Sequence, residues 1–149
     1  MGRLRLGDIS NHTAPIVAFN IDNILFKPKQ KLDIMEKFNR FLQTDKSYYD
    51  YFHRDISLNG IDIINNCWTN NEVSVYLLTF FDYEKDITEI LYDNDVYYSR
   101  LVKVQGIDWL RRKCRFTYAY YFDTNESLIS ELSVDNAQKL SAIYKYLKA

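Results

Sequence analysis

The sequence predicts an α/β fold: a three-layer sandwich with a central parallel sheet of Rossmann-like type and a small helical insertion. Three observations predict it. Short apolar runs rich in β-formers recur at Pro15–Phe19, Val73–Leu78, Val96–Val102 and Phe116–Phe122. Between them lie segments whose apolar residues return at helical spacing. The runs also hold apolar residues at consecutive positions, as parallel strands covered on both faces do. Strands alternating with helices imply right-handed βαβ crossovers in one sheet.

Taken in order, residues 1–14 are polar and mixed, an expected flexible lead-in. Pro15–Phe19 forms the first strand, and Lys27-Pro28 closes the turn region after it. Leu32, Ile34, Met35, Phe38, Phe41 and Leu42 then repeat at helical spacing. Tyr48, Tyr49, Tyr51 and Phe52 crowd into the next stretch, and Ile61–Trp68 reads as a helix opened by the turn residues Asn59-Gly60. The stretch from about 27 to 72 is longer than a plain crossover needs, so it is expected to form a helical cap-like insertion. The second strand ends at Thr79, and a short helix with Ile87, Ile90 and Leu91 on one side follows. The third strand leads to Lys103 and a helix through Trp109 and Leu110 to Lys113. The fourth ends at Asp123. Asp135 is expected to cap a final helix carrying Ala137, Leu140, Ile143, Tyr144 and Leu147.

Composition narrows the function classes. The chain has 149 residues, one ordinary domain, with 47% hydrophobic and 26% charged residues. Its 19 Lys+Arg against 20 Asp+Glu give a net charge of −1, which argues against a dedicated nucleic-acid binder. The cluster Arg111, Arg112, Lys113 and Arg115 reads as a solvated helix end. Cys67 and Cys114 lack metal-ligand spacing and are expected to be free thiols in a reducing compartment. His12 and His53 cannot build a metal centre alone. No apolar run approaches a membrane span, no signal-peptide core is present, and Leu6 breaks the myristoylation pattern. A cytoplasmic location is therefore expected. The many Tyr and Asn residues with only 4 Gly suggest an AT-rich genome, viral or bacterial.

In a parallel α/β sheet the carboxyl ends of the strands share one edge, and ligands bind there. This chain places Asn20 and Asp22 after its first strand, Thr79 after the second, Lys103 after the third and Asp123 after the fourth. Carboxylates suit a hard cation such as Mg²⁺, while a hydroxyl and an ammonium suit phosphate oxygens.

The pattern Asn20-Ile21-Asp22-Asn23-Ile24, followed by Thr79, Lys103 and Asp123, resembles the motifs of the haloacid-dehalogenase (HAD) phosphohydrolases. The resemblance runs from about Ile16 to Leu132. It implies that Asp22 is the general acid/base, that Thr79 and Lys103 bind the transferring phosphate, and that positions 20, 22 and 123 hold Mg²⁺. Lys113 is the alternative lysine. Asn20 stands where the family carries its nucleophilic Asp. A neutral amide neither attacks phosphorus nor lends the metal a charge, so the rate is expected to fall by roughly 10⁴–10⁶ and Mg²⁺ binding to weaken. The last motif is also thin, with Glu126 the available second acid.

Three functions follow: an impaired HAD-like protein that binds a phosphorylated small molecule or a protein partner; a working Mg²⁺-dependent phosphatase, nucleotidase-like, whose Asn20 is an engineered change from Asp; or an interaction protein on a retained scaffold. The Tyr-rich stretch reads first as aromatics packing a small helical layer on the sheet, with stacking on a base or sugar as the alternative.

Overall fold

The computed structural model describes residues 14–26, 56–70, 72–80 and 84–145. Five strands form one all-parallel sheet with helices on both faces, an α/β fold. In chain order they are β1 (Ile16–Asn20), the single-turn helix α1 (Ile21–Ile24), α2 (Leu58–Asn70), β2 (Ser74–Thr79), α3 (Glu84–Asp93), β3 (Arg100–Lys103), α4 (Ile107–Phe116), β4 (Tyr120–Asp123), α5 (Glu126–Leu132), β5 (Ala137–Lys139) and a 3₁₀ turn (Leu140–Lys145). The spatial order is β3-β2-β1-β4-β5. The chain winds outward from β1 in one direction through β2 and β3, then returns to the other side of β1 for β4 and β5. Right-handed crossovers place α2 and α3 on one face and α4 and α5 on the other.

β1 is the central strand, and four of its five residues are buried. Ala18, Phe19, Val75, Leu77, Leu78 and Tyr121 are wholly enclosed. Phe19 and Phe122 stack across the β1–β4 pair at 5.7 Å. Each such aromatic or aliphatic side chain contributes about 1.5–3 kcal/mol on burial, and burial on both faces explains the runs of consecutive apolar residues.

Several elements differ from the sequence expectation. Asn59 and Gly60 lie within α2 rather than in a turn before it. Ile61, Ile63, Ile64 and Cys67 of α2 are buried against the sheet, so this helix is the β1–β2 crossover and not part of a cap. What is left of the expected insertion is 27–55. That segment, with the helix expected over 31–42, the aromatic cluster, His12, His53 and the lead-in through residue 13, lies outside the described residues. The described residues on either side of it meet: Phe26 and Ile56 form an antiparallel bridge, and the Ser57 amide donates to the Leu25 carbonyl at 2.7 Å.

The run Phe116–Phe122 divides. Phe116 is the exposed end of α4, and β4 begins only at Tyr120. The Asn136 amide fixes the turn between them by donating to the carbonyls of Cys114, Tyr118 and Ala119. The third strand is likewise shorter, with 96–99 outside it. The expected final helix is instead β5 followed by the 3₁₀ turn. Ala-Gln-Lys carries no strand propensity of its own; its pairing with Tyr121, Phe122 and Asp123 makes it a strand.

Cys67 and Cys114 are free and buried, in helices on opposite faces, and burial pushes both thiols up to about 12. Among the described residues, no helix is long and apolar enough to cross a membrane.

Candidate functional site

The strand order reverses at β1, between β2 on one side and β4 on the other, and this is where α/β sheets open a crevice at their carboxyl edge. The β1–β4 register pairs Phe19 with Phe122, so the next residues outward, Asn20 and Asp123, stand side by side. Asn20, Asp22, Thr79 and Asp123 are all buried, and among the described residues they are the buried polar side chains of this edge.

Their hydrogen bonds form two joined sets. The Asn20 amide nitrogen donates to Asp123 Oδ2 at 2.8 Å, while its Oδ1 accepts the Asp22 backbone N–H at 3.1 Å and so caps α1. Only one orientation of the amide satisfies both contacts. Asp123 receives three more donors: the Tyr121 hydroxyl on Oδ2 at 2.7 Å, the Asn23 amide on Oδ1 at 2.9 Å, and the Asn125 backbone N–H on Oδ1 at 3.0 Å. Asp22 accepts the Thr79 hydroxyl at 2.8 Å and the Phe80 N–H at 2.7 Å, one on each carboxylate oxygen.

Burial pushes the Asp123 carboxyl above its usual range, and the donors from Tyr121, Asn23, Asn125 and Asn20 oppose the shift. Burial, with the neighbouring Asp123 charge, also drives the Tyr121 phenol well above its ordinary value. Four donors facing one carboxylate form a cradle for its ionised form.

The resemblance implies Mg²⁺ at positions 20, 22 and 123, and the arrangement does not fit it. A hard cation needs free oxygen lone pairs and net negative charge. Here the group facing Asp123 from position 20 is an N–H donor, both Asp123 oxygens carry two donors each, and both Asp22 oxygens are engaged. Among the described residues, no group of three or more His, Cys, Asp or Glu side chains is placed to hold a metal.

Thr79 joins the buried set as anticipated, but it donates to Asp22 instead of facing an open site. Lys103 ends β3, in register with Thr79 and therefore two strands from β1, roughly 10 Å by ordinary strand spacing. It is half-buried on the rim, outside the bonded set. Lys113 lies in the last turn of α4, which runs back toward the amino edge, and its ammonium sits 5.5 Å over the Trp109 ring. Of the two lysines, Lys103 is the one on the carboxyl edge. Glu126 is exposed and pairs with Lys139 at 3.3 Å, so it adds no acid to the buried set. Arg111 is not a solvated charge: it donates to the carbonyls of Leu132 and Glu131, capping the end of α5.

Asn23, Tyr121 and the Asn125 amide are the members that the sequence reading missed. Tyr121 was within reach, because strand alternation puts residues two apart on the same face. Beside the network, Thr124, Asn59, Lys139, Ser141 and Tyr144 line a cleft of about 310 Å³ floored by Ile63 and Leu140.

Compared with models of known families, with curated proteins and with solved structures, the chain matches none of them.

Proposed function

We propose that this chain is a HAD-like phosphohydrolase-fold protein without phosphatase turnover, acting by binding a phosphorylated ligand on the carboxyl rim of its sheet. The observation that carries the reading is the Asn20 amide, bonded at 2.8 Å to Asp123 in the place where a nucleophilic carboxylate would stand. Supporting it are the order of Asn20, Asp22, Thr79 and Asp123 along the strand ends and the reversal of strand order at β1. The meeting of Phe26 with Ile56 is what an insertion over that edge requires of its two ends.

Without a nucleophile no aspartyl-phosphate forms. The buried set is saturated and closed, so a phosphate would be held outside it, by Lys103 or in the cleft by Lys139, Thr124 and Ser141. Three hundred cubic ångströms with a few convergent polar groups is about the size of a small-ligand site.

The test is turnover of nucleoside monophosphates and other phosphate esters, with and without Mg²⁺, alongside melting in inorganic phosphate. The native protein should show no turnover and a saturable phosphate-dependent rise in Tm that Lys139→Ala or Lys103→Ala reduces. Asn20→Asp should gain Mg²⁺-dependent turnover that a second change, Asp22→Ala, abolishes. Turnover by the native protein at ordinary enzyme rates would refute the loss of activity. Absence of any response to phosphate would refute ligand binding and leave the interaction-protein reading.

A further inference from the structure

We infer that the Asn20 amide takes the place of a divalent cation in neutralising the buried Asp123 carboxylate, so that the native centre is complete without metal and a single change, Asn20→Asp, makes the fold depend on one. The argument rests on the local geometry and not on the phosphatase resemblance; turnover decides that reading and melting decides this one.

A buried carboxylate must be matched by positive charge or by enough donors. Asp123 is matched by donors alone: Asn20, Tyr121, Asn23 and the Asn125 N–H occupy its two oxygens in pairs. Asn20 is the member whose replacement reverses the sign of the contact. An aspartate in the same rotamer would still accept the Asp22 N–H through one oxygen. Its other oxygen would replace the nitrogen and face Asp123 Oδ2 at about the present 2.8 Å. Two carboxylate oxygens that close and buried repel each other unless a proton or a cation lies between them. Holding a proton there near neutral pH costs the raised pKa of one carboxyl, a cost that a bound cation removes. Oxygens on adjacent corners of a Mg²⁺ octahedron stand about 3.0 Å apart, given Mg–O bonds of about 2.1 Å. The spacing of the native pair is thus close to that of two ligands on one ion, with the amide hydrogen supplying the attraction the ion would supply.

The same geometry predicts that the pair can be inverted. In Asn20→Asp/Asp123→Asn, an amide at position 123 donates back to a carboxylate at position 20. Its oxygen still accepts from Asn23 and the Asn125 N–H, and the Tyr121 hydroxyl turns to accept. Asp123→Asn alone keeps an acceptor facing Asn20 only by turning its own NH₂ against the donors of Asn23 and the Asn125 N–H, so one side of the cradle is lost in either orientation.

The experiment is thermal unfolding of the four proteins (native, two single variants and the double variant) in EDTA and in millimolar Mg²⁺. Calorimetric titration of Mg²⁺ accompanies it. The native protein should melt at the same temperature in both buffers and give no binding heat. Asn20→Asp should melt about 10 °C lower in EDTA, the scale of an uncompensated buried charge, and recover with saturable Mg²⁺ binding. The double variant should recover most of that loss in both buffers. Saturable stabilisation of the native protein by Mg²⁺ would overturn the inference even if no variant folds. So would an Asn20→Asp protein unaffected in EDTA, one that Mg²⁺ does not restore, or a double variant no better than Asn20→Asp.

Discussion

Removing the Tyr121 hydroxyl isolates the energetics of the Asp123 cradle. Tyr121→Phe keeps the ring, which is fully buried, and deletes a single oxygen that donates to Asp123 Oδ2 at 2.7 Å. No cavity larger than that oxygen opens, so the packing contribution is small. The carboxylate keeps three donors but loses one on the oxygen it shares with the Asn20 amide. Hydrogen bonds to a charged group contribute about 1.5–3 kcal/mol. The expected loss is about 2 kcal/mol, which lowers Tm by roughly 6 °C for a domain of this size. In urea the midpoint should fall by about 1 M with an unchanged slope. The Tyr121→Phe/Asp123→Asn cycle should show coupling of about 1 kcal/mol or more. A loss below about 0.5 kcal/mol with no coupling would refute the reasoning, because such a value is that of a surface substitution that breaks no buried bond.

Three other perturbations follow from particular contacts. Gly60→Ala should destabilise by about 1–3 kcal/mol in urea unfolding, although alanine is the better helix former, because its Cβ would meet the Ile24 carbonyl oxygen at 2.5 Å. Arg111→Ala should cost about 1–2 kcal/mol by freeing the α5 carbonyls of Glu131 and Leu132, with Arg111→Lys failing to restore two bonds from one planar group, again read by chemical denaturation. The buried thiols predict alkaline instability: their folded values near 12 exceed the ordinary thiol value of 9.0, so folding retains protons that the unfolded chain releases. Their stabilising contribution is full below pH 9 and is lost as pH rises toward 12. Cys67→Ala/Cys114→Ala should therefore lose less stability than the native protein across that window.

Much of the architecture can be read from local pattern. β1, β2 and α3 follow from apolar runs and helical spacing because their burial demands are met within each segment, as with Ile87 and Leu91 on the inner side of α3. β5 was not legible, since its strand state is imposed by β4 and not by Ala137, Gln138 or Lys139 themselves. Phe116 misled in the opposite way: a β-forming aromatic next to a β-rich run ends a helix because Asn136, 20 positions on, holds the intervening turn.

The sequence by itself determined which side chains reach the carboxyl edge, because a parallel sheet brings every strand end there whatever the lateral order. Asn20, Asp22, Thr79, Lys103 and Asp123 were all identified on that ground. Only the tertiary structure decided what they do to one another. It set β1 beside β4, joined Asn20 to Asp123 across 103 positions of chain, left Lys103 two strands away, and brought Tyr121 and Asn23 onto the same carboxylate. Strand-end composition is a local property, whereas a hydrogen bond depends on register and on tenths of an ångström between residues far apart in the chain.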